Sequence, residues 1–378
     1  MTSSQTELEK RLIERIKSAG RMTFCEFMQT ALYDAELGYY NSERLQIGAA
    51  GDYYTSSNVH AAFGAILTKA FVELWQQFED RNHFVLVEMG AGTGQLAFDV
   101  LTALRDEHPQ IFPQTSYTII EQSPVMQARQ QEKLQEFAGK VDWRELQELE
   151  AITGIVFSNE LIDAFPVHRL RFSQSGIKEQ FVVVEKDNSA KLSAKVTEND
   201  LAAEKLALIW SELSDEKLAA YIGQTGVRLV EGQIFEINLA ALDWLKKMSQ
   251  VIHRGFLITI DYGDLAAHLY APDRPRGTLR CFYKHTLTDA PLERIGEQDI
   301  TASVNFSALI DYGEVFGFEK LSYERQTHFL FQHGLIERIA AMENNGTMDN
   351  LQDRLAIKNL MVPGGVSDNF RVLIQKKK

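Results

Sequence analysis

The chain has few cysteines, a shortage of positive charge and no long apolar run, and each shortage excludes a class of protein. Its 378 residues include two cysteines, Cys25 and Cys281. Neither stands in a Cys-x-x-Cys or Cys/His spacing, which argues against a disulfide framework and a zinc site. No apolar stretch reaches the roughly 18 residues of a membrane-spanning helix, and residues 1–10 lack the basic-then-apolar order of a secretory signal. We therefore predict a cytoplasmic protein with no metal site and no membrane contact.

Acidic residues exceed basic ones, 52 Asp and Glu against 39 Lys and Arg, for a net charge of -13. Such a field repels phosphate backbones, and no Lys/Arg stripe interleaved with aromatic residues reverses it locally. Nucleic acid is therefore not an expected partner. A basic polypeptide segment or a cationic small molecule would be attracted, although a need for solubility would explain the charge as well.

Strands and helices alternate from residue 83 onward. Nearly continuous apolar runs are typical of strands buried on both faces of a parallel sheet, and right-handed crossovers through helices connect such strands. We therefore predict a Rossmann-like α/β fold. Its expected strands are His83–Glu88, Ser116–Glu121, Gly154–Ser158, Phe256–Asp261, Phe318–Tyr323 and Asn369–Ile374, and its expected helices are Gln95–Glu107, Pro124–Phe137 and Leu239–His253, the last with Gly255 as its stop signal.

Two segments do not follow this alternation. Residues 1–80 show helical spacing, with helices predicted at residues 7–19, 24–32 and about 63–74. After Pro166 the runs 168–172 and 177–185 flank a Ser-Gln-Ser-Gly turn, which predicts a hairpin. We expect a helical N-terminal region, 1–80, and a Rossmann-like domain, 81–378, with an α+β insertion at about 168–232. The insertion could be a substrate platform or a homodimer surface, and its composition does not decide between them.

The segment Glu88-Met-Gly-Ala-Gly-Thr-Gly94 joins a predicted strand to a predicted helix. Glycines at such a turn let the backbone approach a ligand closely. A dinucleotide-binding fingerprint would need a third glycine where Gln95 stands, which argues against NAD. An acidic residue followed by G-x-G-x-G is similar to the pattern of class I methyltransferases, so we predict S-adenosylmethionine as the cofactor. Its expected contacts here are Glu88, Gly90, Ala91, Gly92 and Gly94.

The ends of the next two strands, and one loop before them, supply the other expected cofactor contacts. Glu121 and the following Gln122 lie where the ribose hydroxyls of such folds are bound. Asp142 and Trp143 fall where a further, third strand of the sheet should end. Asp142 could accept a hydrogen bond from the adenine amino group, and Trp143 could pack on the ring or equally be a core tryptophan. Thr55 and Ser56 belong to a loop, residues 51–57, that could close over the cofactor or simply precede a helix.

Three polar residues follow the fourth strand. Asn159, Glu160 and Asp163 would lie at the carboxyl edge of the sheet, where open α/β folds bind ligands. The alternative is structural, with Asp163 as a helix cap and Glu160 in solvent. In the functional interpretation these residues hold the nucleophile for methyl transfer. If the nucleophile is an arginine guanidinium, carboxylates would bind two of its N–H groups and orient the third nitrogen.

Together these motifs resemble the MidA-type methyltransferases, a family that includes a mitochondrial complex I assembly factor that symmetrically dimethylates an arginine. The resemblance implies the same fold, S-adenosylmethionine as methyl donor and a protein arginine as acceptor. It extends over most of the chain. The matching segments are Leu37–Tyr40, Gly51–Ser56, Phe63–Gly64, the glycine loop, Asn159–Pro166, Ile260–Gly263, Gly277–Arg280, Lys284–His285 and Asp299–Phe306.

The sequence also departs from the family pattern. Residues 55–60 read Thr-Ser-Ser-Asn-Val-His, without the Pro and Glu of relatives, Tyr283 replaces a basic residue, and Asn305 replaces an Asp. Two alternatives therefore stay open. One is an assembly protein that binds the cofactor without turnover, and the other is a small-molecule N- or O-methyltransferase.

Overall fold

Helices and strands alternate along the chain largely as its apolar runs predict. A computed structural model describes residues 6–42, 61–186, 204–284, 286–344 and 369–378. The helices are α1 (Glu7–Ala19), α2 (Phe24–Tyr33), α3 (Ala61–Trp75), α4 (Gln95–Glu107), α5 (Pro124–Lys133), α6 (Glu216–Thr225), α7 (Leu239–Val251), α8 (Ala266–Leu269), α9 (Phe306–Val315), α10 (Gln326–Gln332) and α11 (Leu335–Asn344). The strands are β1 (Met22–Thr23), β2 (Phe84–Met89), β3 (Thr115–Ile120), β4 (Val141–Arg144), β5 (Ile152–Asn159), β6 (His168–Ser173), β7 (Gly176–Lys186), β8 (Glu204–Ser211), β9 (Ile234–Ile237), β10 (Ile252–Asp264), β11 (Arg280–Tyr283), β12 (Thr286–Thr288), β13 (Asp299–Thr301), β14 (Val304–Asn305), β15 (Phe318–Arg325) and β16 (Phe370–Lys377).

The chain folds into two units, each assembled from three stretches of sequence. The first unit contains residues 1–42, 165–240 and 266–302, and the second contains residues 43–164, 241–265 and 303–378. The boundaries between these units differ from the predicted domain boundary at residue 80 and from the predicted limits of the insertion, 168–232. The predicted division into domains stays a prediction.

The second unit is built on a mostly parallel sheet with the strand order β15-β16-β10-β5-β2-β3-β4. Strands β10, β5, β2, β3 and β4 run parallel, and β16 is antiparallel to both β10 and β15. The order reverses at β2, because β3 and β4 follow on one side and β5 and β10 on the other. In open α/β sheets the crevice at such a point, outside the carboxyl ends of the strands, is where ligands bind. The predicted Rossmann-like fold is confirmed.

Apolar side chains from both faces of this sheet form the core of the second unit. The rings of Phe71 on α3 and Phe157 on β5 lie 4.8 Å apart, and each fully buried residue of this kind contributes roughly 1.5–3 kcal/mol to stability. Helices α3 and α4 approach closely at Gly64, where a Cβ atom would lie 2.5 Å from the Cβ of Asp99. Close packing fixes α4, and with it the turn that precedes it.

The first unit contains a sheet with the order β1-β7-β6-β9, to which β8 adds beside β7. The predicted hairpin is present as β6 and β7. The sequence did not predict β1, in which Met22 pairs with Val182 of β7. Helix α1 contacts β7 and β8, and α2 contacts β6 and β7. The first two N-terminal helices therefore pack on the sheet that the sequence placed in an insertion.

One stop signal was interpreted wrongly. We expected Gly255 to end a helix, but α7 ends at Val251 and Gly255 lies inside β10 with φ at +146°. It follows a shift in the pairing of β10 with β5, between Ile252 and Arg254. A glycine here serves a β-bulge rather than a helix cap.

In the described part of the chain, no helix has the length and apolar character needed to cross a membrane.

Candidate functional site

The glycine loop follows β2 at the point where the strand order reverses. The N–H of Gly90 donates to the carbonyl of Ile120 (2.9 Å), and the N–H of Gly94 donates to the carbonyl of Ala91 (2.8 Å). The φ angles of Gly90, Gly92 and Gly94 are +70°, +52° and +78°, a region that favours glycine. The loop thus places bare backbone at the carboxyl edge of the sheet, and Ala91 is buried.

Glu88, two residues before this loop, is buried, with 2% of its surface exposed. The phenol of Tyr117 on β3 donates to its Oε2 atom at 2.7 Å. Burial raises the pKa of Glu88 to about 7, against the effect of the Tyr117 hydrogen bond and with the help of the charge on Glu121. Its predicted contact with the cofactor stays a prediction.

We expect Glu88→Gln to stabilise the protein above neutral pH. The raised pKa means that the folded state binds a proton that the unfolded state releases, so stability present below about pH 4.5 is lost as the pH rises through about 7. An amide cannot ionise and still accepts the Tyr117 hydrogen bond. The variant should therefore exceed wild type by about 3 kcal/mol at pH 8 and nearly match it at pH 4.5, as measured by urea unfolding.

The exposed Glu132 on the same unit gives a matched control, because Glu132→Gln removes a carboxylate from solvent rather than from the core. It should leave the difference between pH 4.5 and pH 8 unchanged. If Glu88→Gln and wild type lost equal stability over this interval, the buried ionisation would be refuted.

Glu121 lies directly after β3, and a neighbouring glutamine binds it. Its Oε1 accepts the N–H of Ser123 at 2.9 Å, and its Oε2 accepts Nε2 of Gln130 at 2.9 Å. The same Nε2 donates to the carbonyl of Gly92 at 2.8 Å, and Oε1 of Gln130 accepts Nε1 of Trp143 at 3.0 Å. Gln130 was missed in the sequence. A glutamine four residues after Met126, on the buried face of α5, was the available signal.

The other residues predicted to contact the cofactor make contacts with the protein that do not by themselves indicate a ligand. Asp142 accepts hydrogen bonds from Thr118 (2.7 Å) and Arg144 (2.5 Å), and Trp143 packs partly buried against the core. The side chain of Gln122 is exposed. Their roles toward adenine and ribose stay predictions. Thr55, Ser56 and His285 lie outside the described residues.

The polar residues after β5 form a turn, not the start of a helix. Residues 160–166 contain no helix, so the alternative interpretation of Asp163 as a helix cap is wrong. Glu160 has a φ of +53°, a costly conformation for a residue with a side chain, and such conformations cluster at functional sites. Its N–H donates to the carbonyl of Ile260 (2.9 Å), and its Oε1 accepts Nδ2 of Asn159 (3.2 Å).

Asp261, on the neighbouring strand β10, holds this turn. Its Oδ2 accepts the N–H groups of Ile162 (2.9 Å) and Asp163 (3.2 Å). Its Oδ1 accepts the N–H group of the next residue, Tyr262 (2.9 Å). Burial raises the pKa of Asp261 well above the usual range, and repulsion from the Asp163 and Glu160 charges adds to this. The sequence showed it as the last residue of a predicted strand and within the matching segment Ile260–Gly263, but predicted no role for it.

The turn and β10 thus gather three carboxyl groups, those of Glu160, Asp163 and Asp261. Burial raises the pKa of Asp163 to about 6, although a hydrogen bond with the Tyr262 side chain opposes the shift. Among the described residues, no protein group donates to the buried Oδ1 atoms of Asn159 and Asp163. Buried acceptors of this kind are costly unless a ligand or water satisfies them. The cluster therefore has the acceptors and the negative charge to bind a cation with several N–H donors.

Known proteins resemble this chain in sequence and in structure over nearly its whole length. The chain is 26% identical to rat "Protein arginine methyltransferase NDUFAF7, mitochondrial", with 97% of this chain and 83% of the relative covered. The human protein of that name is 24% identical, with 97% and 82% covered. A crystal structure from Burkholderia thailandensis, bound to S-adenosyl-homocysteine, shares 27% identity at a TM-score of 0.85 and covers 98% of this chain and 92% of that one.

The predicted cytoplasmic location is wrong by this comparison, because curated relatives from rat, fruit fly and human are named as mitochondrial proteins. The composition could not have decided this. A compartment is selected by targeting signals that a receptor recognises, whereas charge and cysteine content reflect solubility and redox conditions.

A family model described as "Putative S-adenosyl-L-methionine-dependent methyltransferase" matches residues 66–324, more than half of the chain. The matched segment contains strands β2 to β14, the glycine loop, Glu121 and the acidic turn after β5. It confirms the predicted resemblance and S-adenosylmethionine as the cofactor, which agrees with the S-adenosyl-homocysteine in the similar crystal structure. The chain therefore belongs to the family of S-adenosyl-L-methionine-dependent methyltransferases.

Proposed function

We propose that this enzyme methylates an arginine side chain of a protein. The observation that carries the proposal is the cluster of Glu160, Asp163 and Asp261 beside the glycine loop, with the Oδ1 atom of Asp163 buried and without a protein donor among the described residues. A guanidinium is a planar cation with five N–H donors and matches such acceptors well. The names of the relatives, protein arginine methyltransferases, support the same acceptor.

The cofactor would lie across the carboxyl ends of β2 and β3. Positive φ angles at Gly90, Gly92 and Gly94 give it open backbone, and the Glu121 carboxylate is fixed by donors yet retains acceptor capacity for ribose hydroxyls. These residues fit the group. S-adenosylmethionine, when bound, supplies an electrophilic methyl carbon on a positively charged sulfur. The predicted contacts of Glu88, Ala91, Gln122, Asp142 and Trp143 belong to this proposal, and a homodimer stays a prediction.

On the acceptor side, Asp163 and Glu160 bind guanidinium N–H groups and orient the remaining nitrogen toward the methyl carbon. The transfer forms a nitrogen–carbon bond, breaks the carbon–sulfur bond and leaves the electron pair on sulfur, so the nitrogen must then lose one proton. Asp163 is placed to take that proton, because its pKa of about 6 keeps it ionised at neutral pH. Asn159 adds a neutral acceptor through its Oδ1 atom.

The test is to identify the methylated amino acid directly. The enzyme is incubated with S-adenosylmethionine carrying a labelled methyl group and with protein extract from cells that lack this chain. The protein is then hydrolysed and its amino acids are separated. We expect the label in N-methylated arginine. Label in lysine or in small molecules, with none in arginine, would refute the proposal.

A second incubation uses peptides that contain either one arginine or one citrulline at the same position. Citrulline keeps the shape of arginine but lacks its charge. If the acidic cluster selects a cation, only the arginine peptides should accept the methyl group. Equal labelling of both would show that the carboxylates do not recognise the acceptor.

A further inference from the structure

Gln130 is the one glutamine of α5 whose side chain is fully buried, with 0% of its surface exposed. A buried amide is costly unless its donors and acceptor are satisfied. Here they are, and each partner comes from a different element. Nε2 donates to the carbonyl of Gly92 in the glycine loop (2.8 Å) and to Oε2 of Glu121 after β3 (2.9 Å), while Oε1 accepts Nε1 of Trp143 on β4 (3.0 Å).

The orientation of this amide follows from its partners. The indole of Trp143 has a donor and no acceptor, so the oxygen of Gln130 must face it. The nitrogen then faces two acceptors, the carbonyl of Gly92 and the carboxylate of Glu121. Rotating the amide by 180° would break all three hydrogen bonds, so Gln130 has a single arrangement.

We propose that Gln130 is a positioning residue for the adenosine half of the cofactor, and that it fixes the glycine loop, Glu121 and Trp143 in one arrangement before the cofactor binds. The inference rests on the cofactor site described under the proposed function. It adds a residue that acts through its hydrogen bonds to three groups of that proposed site, Gly92, Glu121 and Trp143.

The first group is the Glu121 carboxylate. With Ser123 on one oxygen and Gln130 on the other, the carboxylate cannot rotate away. Burial raises the pKa of Glu121, and the hydrogen bonds from Ser123 and Gln130 oppose that rise. Without the Gln130 donor the carboxylate would lose orientation and would protonate more easily, and a protonated carboxyl accepts fewer hydrogen bonds from a ribose.

The second group is the loop backbone. Because the peptide bond is planar and trans, a Gly92 carbonyl that points at Gln130 directs the N–H of Thr93 to the opposite side. The loop also lies against α5 itself, since a Cβ at Gly94 would be 3.3 Å from both Cα and Cγ of Gln130. The position of the loop therefore depends on this glutamine, and a larger residue at position 94 would press against it.

The test is a double-mutant cycle on binding of S-adenosyl-homocysteine, measured by calorimetry. Gln130→Met keeps the length of the side chain and removes its hydrogen bonds, and Glu121→Gln removes the carboxylate. We expect Gln130→Met to weaken binding 10- to 100-fold. The fold-loss of affinity in the double variant should be at least ten times smaller than the product of the two single fold-losses, because Glu121 is effective only when Gln130 holds it. Losses that simply multiply would overturn the proposal.

Two further measurements separate positioning from general stability. Gln131→Met changes the exposed neighbour on α5 and should bind within twofold of wild type. Gln130→Met should raise the KM for S-adenosylmethionine at least tenfold and change kcat less than threefold. An equal loss in the Gln131 variant, or a fall in kcat with an unchanged KM, would refute a positioning role.

If Gln130→Met does not fold, Gln130→Glu replaces it. This variant keeps the acceptor for Trp143 and brings a carboxylate next to Glu121. Its loss of affinity relative to wild type should be at least fivefold greater at pH 8 than at pH 5.5, whereas a purely structural defect would give the same ratio at both. Binding is measured without an acceptor, so an enzyme that binds the cofactor but methylates no arginine would refute only the proposed acceptor.

Discussion

Gly255→Ala should lower the free energy of unfolding by about 3 kcal/mol or more. Gly255 has a φ of +146°, a region closed to residues with a Cβ. A Cβ there would also overlap the carbonyl oxygen of Gly154 on the neighbouring strand. The carbonyl belongs to the backbone of β5, and the Cβ would be fixed directly to the backbone of β10, so no side chain can rotate to relieve the overlap. These two strands also carry Asn159 and Asp261, and the damage should therefore reach the acidic cluster.

Guanidinium chloride unfolding of the purified protein measures the loss. Gly139→Ala is the matched control, because a Cβ at Gly139 meets no atom within 4 Å and its φ is not positive. It should change the free energy of unfolding by less than about 0.5 kcal/mol. A Gly255 variant within 1 kcal/mol of wild type, a threshold of about one typical point mutation, would contradict the backbone geometry described for β10.

Gly255 also illustrates how much of the fold the sequence could predict. Apolar runs of five or six residues identified most of the central strands and their order along the chain, because a strand buried on both faces has to be apolar throughout. The glycine after α7 satisfied the rule for a helix stop. It was misassigned because a helix end and a β-bulge both use glycine for a positive φ, and only the pairing with Gly154 distinguishes them.

The two-unit arrangement was harder to predict, because it depends on contacts between distant residues. The pairing of Met22 with Val182 joins positions far apart in the chain, and a strand of two residues carries no periodicity. The same distinction between local pattern and distant contact applies to the residues of the proposed site. Gly90, Glu121 and Glu160 were predicted, since each follows a recognisable strand. Gln130 and Asp261 were not, because each is defined by donors and acceptors on other elements.

Asp163→Asn should lower kcat for arginine methylation by about 10²- to 10³-fold and leave the affinity for S-adenosyl-homocysteine within threefold. The amide keeps the volume of the carboxylate but has neither its charge nor the capacity to take the proton that the nitrogen loses. Effects of this size are typical when one charged or proton-accepting group is removed from a buried reaction site. The rate of label incorporation into arginine of the protein extract provides the measurement.

The pH profile provides a second measurement of the same residue. Burial raises the pKa of Asp163 to about 6, so the carboxyl is protonated below that pH and can neither attract a guanidinium nor accept a proton. In wild type, kcat/KM should rise with pH through about 6 and then level off. Asp163 interacts with Asp261 and with the Tyr262 side chain, and Glu160 interacts with Asp261. Loss of the Asp163 charge should therefore remove the rise in kcat/KM or shift it by changing the ionisation of these groups.

The exposed Asp311 on α9 is the control for a simple loss of negative charge. If long-range attraction of a cationic substrate explained the effect of Asp163→Asn, then Asp311→Asn should show part of it and added salt should abolish the difference from wild type, because salt screens exposed charges beyond about 10 Å. We expect neither, since Asp163 is buried and acts at contact distance. A kcat for Asp163→Asn within threefold of wild type would mean that the acidic cluster shapes the turn after β5 without taking part in the transfer.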